Sequence, residues 1–400
     1  MTWWIILAGP IWAVIGAYLV PRVYRGQRRD PRLAGLAGGL AGAGLGPLGL
    51  AYLCTRTPPL NRLRHVAVPL GIVVAELLGL FAAANPTNPC LSNAGYVADE
   101  IQLGLSVGLV YALMAAGLTL IYSVQRIISF AHGVFVMLGS VLAYTWLQSL
   151  PVNPLFIIPV IGVVGLLAGI VVAATLLRPV QTGRAERPDE YSLLVTFGLG
   201  IFLTYAIVAN VSATTGMRAP SYVGAHPLLG LTATTFDVGP MRFQTDVLIA
   251  GCVGLVIFAL LMWFLYRTWL GRAFRAVSMD RQAAAVSGIN AGWMFVLAFG
   301  IGCMLAAISG AALAPVFNLQ IPDMAGQTAI RSFVIVVLGG LGSVPGSLIG
   351  GLVVGVTEAM TAACYPDPNK GATYEIAAGL VVFLAVLLLR PQGLFGRAEQ

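Results

Sequence analysis

The sequence predicts an all-α polytopic membrane protein with about 11 hydrophobic helical segments, some of them short or re-entrant. Three observations carry that prediction. Of 400 residues, 58% are hydrophobic and 9% charged, against roughly 25% charged in a water-soluble domain, so much of the apolar surface must face lipid. The apolar runs are continuous and near 20 residues, long enough to cross about 30 Å of hydrocarbon as helices, and they do not alternate as barrel strands do. Glycine supplies 48 residues, which suits helices whose backbones touch through small side chains.

Taken in order, spans are expected near 3–20, 66–84, 102–122, 133–148, 155–177, 191–210, 246–266, 292–315, 346–363 and 373–389. Two further stretches are ambiguous. Residues 328–341 form a short apolar run that ends in Gly339-Gly340-Leu341-Gly342-Ser343-Val344-Pro345-Gly346, which suits a shortened or re-entrant helix. Residues 33–53 hold seven glycines between Gly35 and Gly49, and Pro47. The segment 1–97, rich in Ala, Gly and Arg, reads as an accessory module joined to a main body, 98–400, through the turn sequence Asn85-Pro86-Thr87-Asn88-Pro89-Cys90. Met1-Thr2-Trp3-Trp4 lacks the basic start of a cleavable signal, so the first helix is expected to stay.

Basic residues in short loops set orientation. With the loop 267–290 and its Arg267, Arg272, Arg275 and Arg281 in the cytoplasm, alternation also places Arg56, Arg62, Arg64, Arg126, Arg178, Arg184 and Arg187 inside. The C-terminal tail with Arg390 and Arg397 joins them, and Asp99, Asp237, Asp246, Asp323 and Asp367 lie in or beside the outer loops. At the amino end, a plain span over 33–53 would put Arg22, Arg25, Arg28, Arg29 and Arg32 outside; a stretch that dips in and returns keeps them inside.

Several chemistries are disfavoured. The one lysine, Lys370, precedes Gly371 rather than Ser or Thr, so this chain builds no phosphate-binding P-loop, and ATP hydrolysis would belong to another chain. Three histidines, His65, His132 and His226, and five cysteines lie without metal-ligand spacing. The net charge of +7 is orientation information in such a chain, and no nucleic-acid partner is expected.

The most informative stretch is the cytoplasmic loop from Gly271 to Asn290. Asp280 is a good helix N-cap, Arg281-Gln282-Ala283-Ala284-Ala285 is a strong helix former, and Gly288 stands where a left-handed C-terminal cap belongs. A short helix outside the membrane is expected. It suits either insertion into a groove of a cytoplasmic partner or a resting place on lipid headgroups.

The run Gly271-Arg272-Ala273-Phe274-Arg275-Ala276, then Asp280-Arg281-Gln282-Ala283-Ala284, then Gly288-Ile289-Asn290, resembles the coupling loop of the permeases of branched-chain amino-acid ABC importers, the LivH type. Three further stretches agree, in chain order. Gly108-Leu109-Val110-Tyr111-Ala112-Leu113, followed by Ser129-Phe130-Ala131-His132-Gly133, is similar to the family's opening segment, where Asn more often precedes the Phe. Leu338 to Gly346, with Gly350-Gly351 and Glu358, resembles its late glycine-rich hairpin. Leu389-Arg390-Pro391-Gln392-Gly393-Leu394-Phe395-Gly396 resembles its C-terminal signature. The resemblance spans roughly 100–397 and leaves 1–97 outside the usual pattern.

The resemblance implies a non-enzymatic subunit of the bacterial cytoplasmic (inner) membrane, with a cytoplasmic C-terminus. It would form a translocation pathway with a second related permease, be driven by two separate ABC ATPase subunits that carry ATP and Mg, and receive small amino acids from an extracytoplasmic solute-binding protein. This chain would hold no cofactor. Gly271, Arg272, Arg275, Asp280, Arg281, Ala284, Gly288 and Ile289 would form the ATPase-coupling loop. The same architecture serving urea or short amides is the alternative within transport. A secondary transporter or channel is the alternative class, and it would want more mid-membrane charge than Glu358 alone.

Polar residues at membrane depth are the pathway candidates: Tyr111, Thr119, Ser309, Asn318, Thr357 and Glu358. Each has a plainer reading, since hydroxyls in membrane helices mostly serve the backbone or a neighbouring helix, and Glu358 could instead hold the Gly350-Gly351 hairpin. Glu76 suits interfacial packing. His132, Gly339, Gly342, Pro345 and Gly346 are read as structural. Cys90 and Cys364 both fall in loops assigned to the outside, where a disulfide can persist, so they form either a bridge or two separate thiols.

Overall fold

The computed structural model describes residues 94–390 apart from breaks at 128, 150–151, 212–218, 223–234, 239–240, 320 and 366–369, together with Cys90 and residues 392–396. The spans expected at 3–20 and 66–84, the ambiguous stretch 33–53 and Glu76 lie outside the described residues. Two compact units are found: Ala98–Val356 with Gln392–Gln400, and Met1–Val97 with Thr357–Pro391.

The described residues are almost entirely helical. In order they form α1 (Ala94–Gln125), α2 (His132–Ser149), α3 (Pro154–Thr175), α4 (Arg178–Gln181) and α5 (Pro188–Val211). A small antiparallel hairpin follows, β1 (Thr235–Val238) and β2 (Met241–Gln244), with Thr235 opposite Gln244. The chain continues through α6 (Thr245–Arg267), α7 (Trp269–Met279), α8 (Arg281–Val286), α9 (Ala291–Leu313), α10 (Asp323–Gly339), α11 (Val344–Cys364) and α12 (Gly371–Leu389). Six of these helices, α1, α3, α5, α6, α9 and α11, are long and apolar enough to cross a membrane, and Gly371–Leu387 is a shorter apolar helix. The protein is therefore an all-α multi-pass membrane protein, and the hairpin is the one departure from that class among the described residues.

Local chemistry starts and stops these helices. Asn153 caps α3, its side chain accepting from the Leu155 amide at 3.0 Å, with Pro154 in the first turn where its missing N–H costs nothing. Asn290 caps α9 in the same way through the Trp293 amide at 3.0 Å. Of the stretch 328–341, ambiguous in sequence, residues 328–339 belong to α10, whose 17 residues extend about 25 Å at 1.5 Å per residue.

In the larger unit, α1 and α9 are the interior helices and α2, α3, α6 and α10 surround them. Glycine makes this packing possible. A Cβ on Gly117 of α1 would stand 2.7 Å from the Gly302 carbonyl of α9, and one on Gly169 of α3 would stand 2.9 Å from the Gly300 Cα. Gly351 of α11 likewise lies against Ala112 of α1. Backbones this close gain dispersion contact over many atoms, the main attraction available to helices in lipid. Ser140 of α2 adds an interhelical hydrogen bond, its hydroxyl donating to the Gly310 carbonyl at 2.7 Å.

The outer helix α5 is different. Its buried residues Ser192, Thr196, Gly200 and Thr204 recur every fourth position and form one narrow stripe, while Leu194 and Phe202 are 67% and 68% exposed. Large apolar side chains on the remaining surface suit lipid.

In the smaller unit, Cys90 and Cys364 form a disulfide, which settles the two readings left open by the sequence. Gly371 at the start of α12 packs on the backbone of Ala362, and Tyr365 stacks on Tyr374 with ring centroids 4.9 Å apart.

Candidate coupling site and polar residues of the membrane body

The loop 267–290 is more structured than one short helix. Thr268 ends α6 and starts α7, its hydroxyl oxygen accepting from the Gly271 amide at 3.0 Å. The chain reverses so tightly here that a Cβ on Gly271 would collide with the Leu265 backbone. Helix α7 is amphipathic: Ala273, Phe274 and Val277 are buried, while Arg272 and Arg275 are exposed and the Arg275 guanidinium lies 4.9 Å from the Tyr266 ring centroid.

Asp280 does what its residue type predicts. Its carboxylate accepts from the Gln282 and Ala283 amides at 2.8 and 3.0 Å and so caps α8. At the other end Gly288 adopts φ +83°. Its amide donates to Ala285 and the Ile289 amide donates to Ala284, each at 3.0 Å, which is the paired pattern of a glycine-terminated helix. The helix expected over 280–287 is therefore α8 with its two caps.

Behind this exposed turn lies a small apolar core of Val124, Ala273, Phe274, Val277, Ala284, Met294 and Ala298, with Ile289 packed against it. It joins the end of α1, the face of α7, the single buried residue of α8 and the start of α9. Three polar links surround it. Gln125 donates to the Phe295 carbonyl at 3.0 Å, Arg126 to the Ser278 carbonyl at 3.3 Å, and Arg281 to the Gln181 carbonyl at 3.4 Å. Arg126 has φ +59°, a left-handed conformation that a non-glycine residue adopts at some cost. Outward from this base, Met279 is 78% and Val286 91% exposed. An apolar knob on a rigid, capped turn is a shape suited to a groove.

The glycine-rich hairpin and the C-terminal signature, far apart in sequence, meet in the larger unit. Gly339 and Gly346 face each other so closely that a Cβ on either would strike the other's carbonyl. Gly342 has φ +82° and turns the chain, and Pro345 sits exposed in the first turn of α11. Leu394 and Phe395 then donate their amides to the carbonyls of Leu338 and Gly339 at 2.9 and 3.0 Å.

The pathway candidates separate into distinct environments. Ser309 is buried and donates to the Leu305 carbonyl one turn back, so its hydroxyl is satisfied within α9. Asn318 is exposed in the turn after α9 rather than inside a helix. Thr119 on α1 and Thr357 on α11 are buried with no hydrogen-bond partner for their hydroxyls among the described residues. Glu358 is buried at 5% exposure on α11. His132 is fully enclosed, with Nε2 2.9 Å from the Met114 carbonyl of α1, a contact between two helices.

Two features escape the sequence reading. Arg331 sits at the middle of α10, its guanidinium 5.5 Å from the ring centroid of Tyr111. The signal was a single arginine inside an apolar run.

The second is a polar network at the start of α6. Asp246 accepts from the Ser221 hydroxyl at 2.7 Å and the Tyr222 amide at 3.0 Å; Tyr222 donates its hydroxyl to the Ala312 carbonyl at 3.0 Å; Asn153 donates to the Tyr222 carbonyl at 2.8 Å. Burial, with the Asp246 charge added, pushes the Tyr222 phenol well above its ordinary range, so it stays protonated and keeps donating. Counted only as a loop charge in sequence, Asp246 is a buried anchor that ties residues 219–222 to α3, α6 and α9.

Comparison with known proteins agrees with this architecture. The family profile described as "Branched-chain amino acid transport system / permease component" matches residues 101–390. The high-affinity branched-chain amino acid transport system permease protein BraD of Pseudomonas aeruginosa is 32% identical over 309 residues, 75% of this chain and 96% of that protein. The corresponding permease LivH of Salmonella typhimurium is 29% identical over 312 residues, 76% of this chain and 97% of that protein. A probable branched-chain permease LivH of Methanocaldococcus jannaschii is 28% identical over 290 residues, 71% of this chain and 88% of that protein. No solved structure matches the chain significantly. With most of its length matched, this chain belongs to the family of branched-chain amino acid transport system permease components.

Proposed function

We propose that this chain is the membrane permease of an ATP-driven importer for branched-chain and similar hydrophobic amino acids. It would form the translocation pathway with a second, related permease in a bacterial inner membrane. Two ATPase subunits carrying ATP and Mg would dock on the cytoplasmic face, and a solute-binding protein would deliver the amino acid on the other side. The 1–97 segment serves as an accessory module of the permease domain 98–400.

One observation carries the reading: the capped α8 turn with its exposed Met279 and Val286, seated on a core shared by α1, α7 and α9. A partner that closes on nucleotide moves that knob. The shared core and the Arg126 contact pass the displacement to α1 and α9, the two interior helices. Nucleotide supplies the differential affinity for two states that such a movement needs. In this assignment Gly271, Arg272, Arg275, Asp280, Arg281, Ala284, Gly288 and Ile289 form the coupling surface and its support.

Orientation is supported by the Cys90–Cys364 bridge, which belongs in an oxidising compartment. In this reading α9, α10 and α11 each cross, which puts the coupling loop on the cytoplasmic side, and α12 returns the C-terminus to it.

Co-reconstitution with the second permease, the ATPases and the binding protein in sealed vesicles tests this. Labelled leucine, isoleucine and valine are expected to accumulate with ATP, and urea is not. Concentration of a solute by this chain without any ATPase, or accumulation of urea alone, would overturn the assignment.

A further inference from the structure

The coupling loop lies between two helices, α6 before it and α9 after it. Both are long and apolar enough to cross a membrane, and α9, with 23 residues, extends about 34 Å. At the loop they are joined: Met294 and Ala298 of α9 belong to its small apolar core, and Phe264 of α6 packs against that core. Their opposite ends are joined as well, by a separate piece of chain.

That piece is 219–222. Tyr222, 2% exposed, donates its hydroxyl to the Ala312 carbonyl in the last turn of α9 at 3.0 Å, and the Ala219 amide donates to the Ala314 carbonyl just beyond it at 3.2 Å. Toward α6, one carboxylate oxygen of Asp246, in that helix's first turn, accepts both the Ser221 hydroxyl at 2.7 Å and the Tyr222 amide at 3.0 Å. The Asn153 side chain that caps α3 donates to the Tyr222 carbonyl at 2.8 Å.

The last carbonyls of a helix need partners, yet water or neighbouring chain can supply them. A buried tyrosine bonded to α9 through its hydroxyl and to α6 through its amide does more. The outer ends of the two helices cannot slide apart without leaving buried polar groups unpaired. Helices that share a core at one end and a hydrogen-bonded tie at the other move as a frame. A shift of 219–222 therefore displaces the ends of α6 and α9, and these carry it to α7 and α8.

We propose that Tyr222 is the positioning residue through which docking of the loaded solute-binding protein, on the side opposite the coupling loop, reaches that loop. The proposal rests on the amino-acid import reading above and adds the route by which the loaded partner stimulates the ATPases. Coupling between binding sites is reciprocal, so nucleotide on the ATPases alters affinity for the binding protein through the same tie.

The test uses the complete reconstituted importer, with ATP hydrolysis measured with and without leucine-loaded binding protein. If the unaltered complex accumulates no leucine, the import reading itself fails. If it accumulates leucine but its hydrolysis is not stimulated, the proposal alone fails. Tyr222→Phe is expected to keep basal hydrolysis within about two-fold and to lower the stimulation at least about five-fold. Unchanged stimulation overturns the proposal, as does an equal proportional fall in basal and stimulated rates, which would mark mere structural support. Asp246→Asn, whose amide oxygen can still accept both bonds, should keep most of the stimulation, and its loss there also overturns the proposal. If Tyr222→Phe does not assemble, Ser221→Ala takes its place, since it removes one of the two donors to Asp246; full stimulation in that variant overturns the proposal.

A second measurement reads the reciprocal effect. The affinity of the assembled complex for loaded binding protein should change when a non-hydrolysable ATP analogue is added, and Tyr222→Phe should shrink that change at least about five-fold. An equal change in both complexes overturns the proposal.

Discussion

The helix crossings around α9 and the turn around α8 both depend on glycine, and for opposite reasons. Gly310 of α9 is needed for what it lacks, since any Cβ there would run into the Val136 carbonyl of α2. Gly288 has nothing within 4 Å of where its Cβ would be and is needed for its backbone, at φ +83°. One region is a body whose helices cannot slide apart cheaply, and the other is an exposed fitting whose shape is set by its own caps. A lever needs both: a stiff arm, and a handle that can be gripped without disturbing it.

The sharpest way to break that contrast is in the body. Gly310→Val should cost about 3 kcal/mol or more, because backbone on both sides has nowhere to move. The expected result is loss of a single well-behaved species in detergent and a large fall in thermal midpoint. Unchanged stability would show that the α2–α9 crossing is looser than its spacing implies.

The handle should fail differently. Gly288→Pro replaces φ +83° with a residue fixed near −65° and removes the amide that donates to Ala285. Insertion and thermal midpoint should stay near those of the unaltered protein while ATP-driven uptake falls at least ten-fold. Full transport in this variant would remove the coupling role from α8.

The smallest effect is expected at the other cap. Asp280→Ala leaves the Gln282 and Ala283 amides without their acceptor, at a cost of about 1 kcal/mol to a six-residue helix. Amino acid moved per ATP should drop about two- to five-fold. Asp280→Asn should restore most of it, since an amide oxygen still caps. Equal transport in Asp280→Ala would mean that the Ala284 contact alone holds α8 in place.

The caps of α8 were legible in sequence because each is a local event: a carboxylate reaches two or three residues along, and a glycine takes a conformation closed to others. The same holds for the glycine-rich turn before α11. Helix α7 was not legible as a separate element. Trp269–Met279 reads as part of a basic loop until Val124, Met294 and Ala298 supply the surface that its apolar face covers. Ser309 reads as a free hydroxyl until the Leu305 carbonyl is seen to take it. Arg331 and Asp246 were passed over for a related reason, since what gives each its meaning is Tyr111 in one case and Ser221, Tyr222 and Asn153 in the other, on different elements.

Sequence by itself determined that this chain lives in a bilayer, about where its helices cross and which loop presents a capped turn. Those properties follow from hydropathy over a span length and from bonds between near neighbours. Tertiary structure decided which helices are interior, that Cys90 joins Cys364, that residues 392–396 bind the glycine-rich hairpin, and that Arg331 of α10 meets Tyr111 of α1. In lipid the apolar surface of every helix is equally content, so partner choice rests on close backbone approach and a few polar contacts, and these exist only once the chain has folded.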